Sequence, residues 1–262
     1  MCLQEIIFHI KSILLQNLHE SGIHYYKMFF CHFLVLRYMV ATGSPSSSRQ
    51  KTEIVDLTDP SKSCVLDDIP SRHASTGGVL GTIPVICGGY EDGNLNECLL
   101  YGTSQVITMN SKRQVASSVA INPNKIWILG GYDGNGGNGA NGRLDTTEFV
   151  TIDGGSENGP TLPEAVSSSC AVKFPDTGDV YSIGGYTYAG TSKNVWVANP
   201  SNAYTFSQGP SLMTARRHHA CGTMSIGAKS IIVAAGGYNY NPYYLSSVEI
   251  LDPVSNQWVA GK

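Results

Sequence analysis

The densest group of side chains able to do chemistry is Arg216-Arg217-His218-His219. Two histidines and a third ligand would hold a transition metal, but neighbours in an extended strand point to opposite faces, so His218 and His219 are poorly placed to share one ion. Guanidinium groups grip carboxylates in bidentate fashion. Arg72, Arg113, Arg216 and Arg217, which recur at corresponding turns, would therefore suit an acidic peptide. The plainer reading is solvated rim charge plus a buried brace. Gly134-Asn135-Gly136-Gly137-Asn138-Gly139 fits the dinucleotide fingerprint in form only. That fingerprint needs a following helix to meet the pyrophosphate, and Arg143 to Val150 reads as a strand. Asp133, Asn135 and Asp145 offer oxygen ligands in the same loop, yet Leu144 stands where a calcium loop requires glutamate. No GxSxG, HExxH or P-loop motif occurs. No catalytic residue, metal or cofactor is assigned.

What must position these groups follows from composition and repetition. Of 262 residues only 14% are charged, against about 25% in an average domain. The 29 glycines are far more than the roughly 7% of ordinary chains. This favours a β-rich, turn-rich fold. A net charge of -3 gives no bulk attraction to nucleic acid or acidic membranes, and neither is expected as a partner.

A strongly apolar run ending in Gly-Gly-Tyr occurs four times, with first glycines at Gly88, Gly130, Gly184 and Gly236 and second glycines at Gly89, Gly131, Gly185 and Gly237. Each run follows a strand of small residues and precedes an alternating strand, which holds Glu97, Glu148 or Glu249 in three copies. Trp258 stands nine residues after Glu249. The unit is four short strands, a to d. A four-stranded sheet cannot bury both faces alone, so units must stack, and radial stacking gives a propeller. The glycines then sit where neighbouring backbones approach. A carboxylate in a half-buried strand must accept hydrogen bonds, so the glutamates read as braces between blades.

This pattern resembles the kelch repeat, marked by a diglycine closing the second strand, a Thr/Ser-x-Glu in the third and an aromatic in the fourth. The resemblance covers about residues 52 to 262, with Trp258 the clear fourth-strand aromatic and Val106 and Phe206 in its place elsewhere. It implies an all-β, kelch-type β-propeller, with a half blade at 52–69 and repeats at about 70–108, 112–160, 164–210 and 215–260. Four blades plus a half blade fall short of the five to seven of closed kelch rings. The expectation is a truncated product whose ring is incomplete, with further strands after Lys262; the alternative is closure by a second copy or by the N-terminal segment. An open blade edge would favour self-association.

The resemblance also implies a non-catalytic protein-interaction module that binds a protein or peptide through rim loops. The loop tyrosines Tyr240, Tyr243 and Tyr244 are aromatic anchors outside the repeat pattern. Tyr90, Tyr132, Tyr186 and Tyr238 follow the diglycines periodically, which suits packing as well as recognition. A galactose-oxidase-like enzyme would need two tyrosines, two histidines and a crosslinked cysteine, and nothing matches that site. The substrate-recognition propeller of a cullin ubiquitin ligase would carry BTB and BACK regions, too long for the residues before the repeats.

Residues 1–40 form an apolar segment, helical, signal-like or disordered, and 41–51 have linker composition. Leu3, Ile6, Ile7, Ile10, Ile13, Leu14 and Leu18 fall on one helical stripe. Phe29 to Leu36 reads as an export segment, but His32 and Arg37 interrupt the apolar run, so no transmembrane span is expected. Export is slightly favoured over a cytoplasmic location. The first disulfide expected is Cys87–Cys98, opposed across one hairpin; Cys170 and Cys221, at similar positions in neighbouring blades, are the second. In a cytosolic protein all would be thiols.

Overall fold

In the computed structural model, residues 72–101, 103–135, 141–226, 229–252 and 254–261 are described with their side chains, and 38–42, 52–56 and 64–66 as backbone strands. The apolar segment before Tyr38, including the export reading of Phe29 to Leu36, lies outside the described residues. So does most of the Gly134–Gly139 loop.

The chain is all-β, and its main body is four antiparallel sheets of four strands, each a simple meander. Blade 1 holds β4 (Thr76–Leu80), β5 (Ile83–Cys87), β6 (Glu97–Leu100) and β7 (Val106–Thr108). Blade 2 holds β8 (Ser117–Asn122), β9 (Lys125–Leu129), β10 (Thr147–Thr151) and β11 (Gly155–Asn158). Blade 3 holds β12 (Cys170–Lys173), β13 (Val180–Thr187), β14 (Gly190–Ala198) and β15 (Phe206–Gln208). Blade 4 holds β16 (Ala220–Ile226), β17 (Lys229–Ala235), β18 (Val248–Asp252) and β19 (Gln257–Ala260). Among the described residues the ring is not closed.

Two boundaries differ from the sequence reading. β1 (Tyr38–Thr42) pairs antiparallel with β2 (Thr52–Asp56), which pairs with β3 (Cys64–Leu66). The half blade thus has three strands, and the start of the presumed linker belongs to one of them, because backbone pairing does not require the diglycine signature. In blade 3 the diglycine does not end its strand. β13 runs on through Thr187 with a register shift between Ile183 and Gly185, and a tight turn leads straight into β14.

The alternation of side chains along each strand, with period two, is what makes blades stack. In β9, Ile126 and Ile128 pack with Val85, Leu100 and Met109 of the blade 1 side. The intervening Trp127 and Leu129 pack with Val180 and Ala198 of blade 3. Between blades 3 and 4, Tyr181, Ile183 and Val195 meet Ile232, Leu251 and Trp258. Phe206 stands in its fourth strand as Trp258 does in its own, packed toward the preceding blade with its ring 5.3 Å from Trp127. The innermost strands are also stitched pairwise. Thr76 donates to Ser118 at 2.8 Å, the Ser117 and Ser169 hydroxyls lie 3.1 Å apart, and Cys170 is disulfide-bonded to Cys221.

In blades 1 to 3 the first glycine of the pair is required by the next blade. A Cβ on Gly130 would stand 2.3 Å from the Val166 carbonyl oxygen, and one on Gly88 would stand 2.2 Å from that of Arg113. At Gly236 the nearest atom would be 3.5 Å away. All three have positive φ, so alanine costs about 1–2 kcal/mol for the left-handed backbone alone. Gly130→Ala adds an overpacked blade contact and is expected to lose roughly 2–5 kcal/mol in total, against about 1–2 kcal/mol for Gly236→Ala. Denaturant titration of the two variants checks this; equal losses would show that the blade contact does not matter.

Candidate interaction surface

The four arginines of the sequence reading divide into two groups. Arg72, Arg113 and Arg216 are buried, which corrects their assignment as rim groups open to a partner. Arg113 donates to the carbonyls of Gly130 and Thr146 at 2.7 and 3.1 Å, and reaches Glu148 at 2.5 Å. Arg216 repeats this on Gly236 and Ser247, and reaches Glu249 at 2.7 Å. Arg72 is the loose copy, 3.6 Å from a Glu97 whose side chain is 48% exposed. Burial lowers the Arg113 and Arg72 pKa values from their ordinary range, with the paired glutamates acting in opposition.

Glu148 and Glu249 fasten the chain segment that crosses from one blade into the next. Glu148 accepts from the amides of Asn110 and Ser111 at 2.7 and 2.9 Å and from the Ser156 hydroxyl at 2.6 Å. Glu249 accepts from the amides of Met213 and Thr214 at 2.6 and 3.0 Å. Blade 3 has no such pair, since Val166 and Trp196 occupy the corresponding places. There Glu164 accepts from Trp196 Nε1 and Asn194 at 2.9 and 2.8 Å. The polarity is reversed, with the carboxylate on the crossing segment and the donors on the strand. The sequence reading passed over this brace because it shares neither residue with the repeat signature.

Arg217 belongs to the second group. One position after the buried arginine it pairs in an isolated bridge with Tyr238, as His73 does with Tyr90, Gln114 with Tyr132 and Ser167 with Tyr186. The periodic tyrosines therefore share one end of the propeller with these residues. Next to them stand Tyr240, Tyr243 and Tyr244, which are 53%, 61% and 62% exposed. Their neighbour Tyr238 has its ring centre 6.2, 5.7 and 6.0 Å from theirs. The Tyr186 and Tyr240 hydroxyls are 2.9 Å apart. The guanidinium carbon of Arg217 lies 4.1 Å from the Tyr186 ring centre and 4.5 Å from that of Tyr238. Arg143, which the sequence reading did not single out, joins them 4.1 Å from the Tyr186 ring. No local motif marks it. His218 is exposed while its neighbour His219 is buried, so the two face different environments. Cys87 and Cys98 are disulfide-bonded across β5 and β6, where they stand directly opposite.

Four meander sheets stacked through alternating faces, with a ring not closed among the described residues, are consistent with the blades of a kelch-type β-propeller. A Kelch motif is found at residues 228–261, the b-to-d portion of blade 4, consistent with a kelch-repeat protein. No curated protein matches the chain. Among the described residues no helix is long and apolar enough to cross a membrane.

Proposed function

We propose that the chain is a non-catalytic protein-interaction module of kelch type, which binds a protein or peptide through the loops at the tyrosine-bearing end of blades 3 and 4. One observation carries this reading: Tyr240, Tyr243 and Tyr244, outside the repeat pattern, stand exposed beside Arg217 and Tyr186 on one surface. Tyrosine supplies large, stiff, amphipathic contact area at low conformational cost, which is why it dominates recognition surfaces. The buried arginines and glutamates hold that surface from beneath and do not take part in binding.

Selection of a random peptide display library on the immobilised full chain tests this. The wild type is expected to enrich a consensus sequence, and the Tyr240→Ala/Tyr243→Ala/Tyr244→Ala variant, at unchanged melting temperature, to lose it. A consensus that survives the triple replacement would move binding elsewhere, and failure to enrich any sequence would overturn the reading.

A further inference from the structure

The segment that crosses from one blade into the next is held on the blade it leaves by the same backbone hydrogen bonds three times over. Its first residue, Met109, Leu162 or Leu212, donates its amide to the carbonyl of Asn96, Asp145 or Lys193 at 2.6, 2.8 and 2.9 Å. Four residues on, Arg113, Val166 or Arg216 donates to the carbonyl of Leu95, Leu144 or Ser192 at 2.9, 3.0 and 3.1 Å. The carbonyl of that same residue accepts from the second glycine, Gly89, Gly131 or Gly185, at 2.9, 2.8 and 2.8 Å. The side chain at the first position is buried in every copy, against the face that the departing blade turns to its successor.

Blade 4 carries the same station. Leu245 donates to the Gly237 carbonyl at 3.0 Å, as Leu95 does to Gly89 and Leu144 to Gly131 at 2.9 Å, so the Leu245 and Ser246 carbonyls are the matching acceptors and the Gly237 amide the matching donor. Among the described residues none of the three has a backbone partner, and no crossing segment lies on this blade. Both glycines are buried in blades 1 to 3, whereas Gly236 and Gly237 are half-buried. A Cβ on Gly236 would meet nothing closer than 3.5 Å, where the other first glycines meet the Arg113, Val166 or Arg216 carbonyl. The adjoining face is apolar: Val233, Ala235, Val248 and Ile250 alternate with the residues that pack on blade 3. They are half-buried, whereas Trp127, Leu129, Tyr181 and Ile183, in the places of Val233 and Ala235, are buried. Unused backbone donors and acceptors beside an apolar face form a template for an added chain, in which main-chain bonds supply affinity and side chains supply selectivity. Arginine at the fifth position serves the blade that follows, through Gly130 or Gly236, so a branched aliphatic residue such as Val166 suits a segment that brings no further blade.

We propose that the uncovered side of blade 4 is a docking station for an extended segment of a partner protein, with leucine or methionine at its first position and a branched aliphatic residue four places later. The segment lies on Val233, Val248 and Ile250, exchanges backbone hydrogen bonds with Leu245 and Gly237, and sets its fifth carbonyl against Gly236. This reading does not depend on ligand binding by the loop tyrosines.

The probe is the chain's own internal segment Gly159–Ser168, made as a fluorescent peptide, titrated onto the full chain and followed by anisotropy. Saturable binding is expected, weaker by about tenfold or more for the peptide carrying Leu162→Asp. Amide exchange followed by NMR supplies the geometry: the Gly237 amide should exchange faster than those of Gly89, Gly131 and Gly185 in the free chain and become protected when the peptide binds. In the protein, Gly236→Ala fills the space kept for the incoming carbonyl, and Val248→Asp puts a charge under the first side chain. Each should weaken binding about tenfold or more while the near-ultraviolet circular dichroism of the fold is kept. Absence of saturable binding would overturn the proposal, as would binding that both protein variants or the Leu162→Asp peptide leave intact, or a Gly237 amide already protected in the free chain. A dimer in sedimentation that Gly236→Ala dissociates would give the station to a second copy and likewise overturn it.

Discussion

Glu148→Ala is expected to lose about 3–5 kcal/mol of stability, as removal of one partner from a buried ion pair does. Glu97→Ala, which removes a carboxylate two positions earlier in the repeat, where Thr146 stands in blade 2 and Ser247 in blade 4, is expected to lose about 1 kcal/mol or less. The difference lies in burial. Both side chains of the Arg113–Glu148 pair are fully shielded from solvent, while Glu97 is half exposed and 3.6 Å from Arg72. Without the Glu148 carboxylate the Arg113 cation stays buried without a counter-charge, and the amides of Asn110 and Ser111 lose their acceptor. Glu148→Gln keeps an acceptor for those amides but not the charge, so an intermediate loss is expected. At this chain length the alanine variant should melt roughly 6–20 °C below the wild type. Scanning calorimetry of the three variants decides the matter. Equal losses for Glu97→Ala and Glu148→Ala would show that these glutamates do not brace the blades through buried charge.

The second large effect expected is covalent. Cys170 and Cys221 join the innermost strands of blades 3 and 4 across a sequence separation of 51, whereas Cys87 and Cys98 are separated by 11 within one hairpin. The chain-entropy account gives about 4 kcal/mol for the longer loop and about 3 kcal/mol for the shorter. The longer loop also lies at a blade boundary, where the stitching between innermost strands is otherwise made by hydroxyls such as Ser117 and Ser169. Oxidised Cys170→Ser/Cys221→Ser protein should therefore melt below Cys87→Ser/Cys98→Ser protein, and both below the wild type. Reductant should bring the wild type down below either oxidised variant. A wild type indifferent to reductant, with four more reactive thiols than the pairing allows, would show that the bridges do not form.

The blade strands were legible because their cause is local and periodic. The continuous apolar run Ile126–Leu129 and the recurrent Gly-Gly-Tyr need no knowledge of distant contacts. The pairing of Cys87 with Cys98 followed from hairpin register, which turns in the chain largely specify. Tyr38–Thr42 was not legible as a strand, since it lacks the signature and gains its identity only by pairing with Thr52–Asp56.

The site was legible in types and only partly in place. Sequence spacing put Arg72, Arg113, Arg216 and Arg217 at corresponding turns, but residue 216 points inward to Glu249 and residue 217 outward to Tyr186 and Tyr238. One step along an extended chain reverses the side chain, and no composition rule reveals which phase a turn delivers. Arg143 entered the cluster through blade packing alone. By itself the sequence pointed to a stack of four-stranded blades, to glycines at their close approaches and to Glu148 and Glu249 in the third strands, because these depend on local period and on excluded volume. The tertiary structure alone decided which arginines are buried against the next blade and which stand among the loop tyrosines, because that depends on which blade covers each side chain.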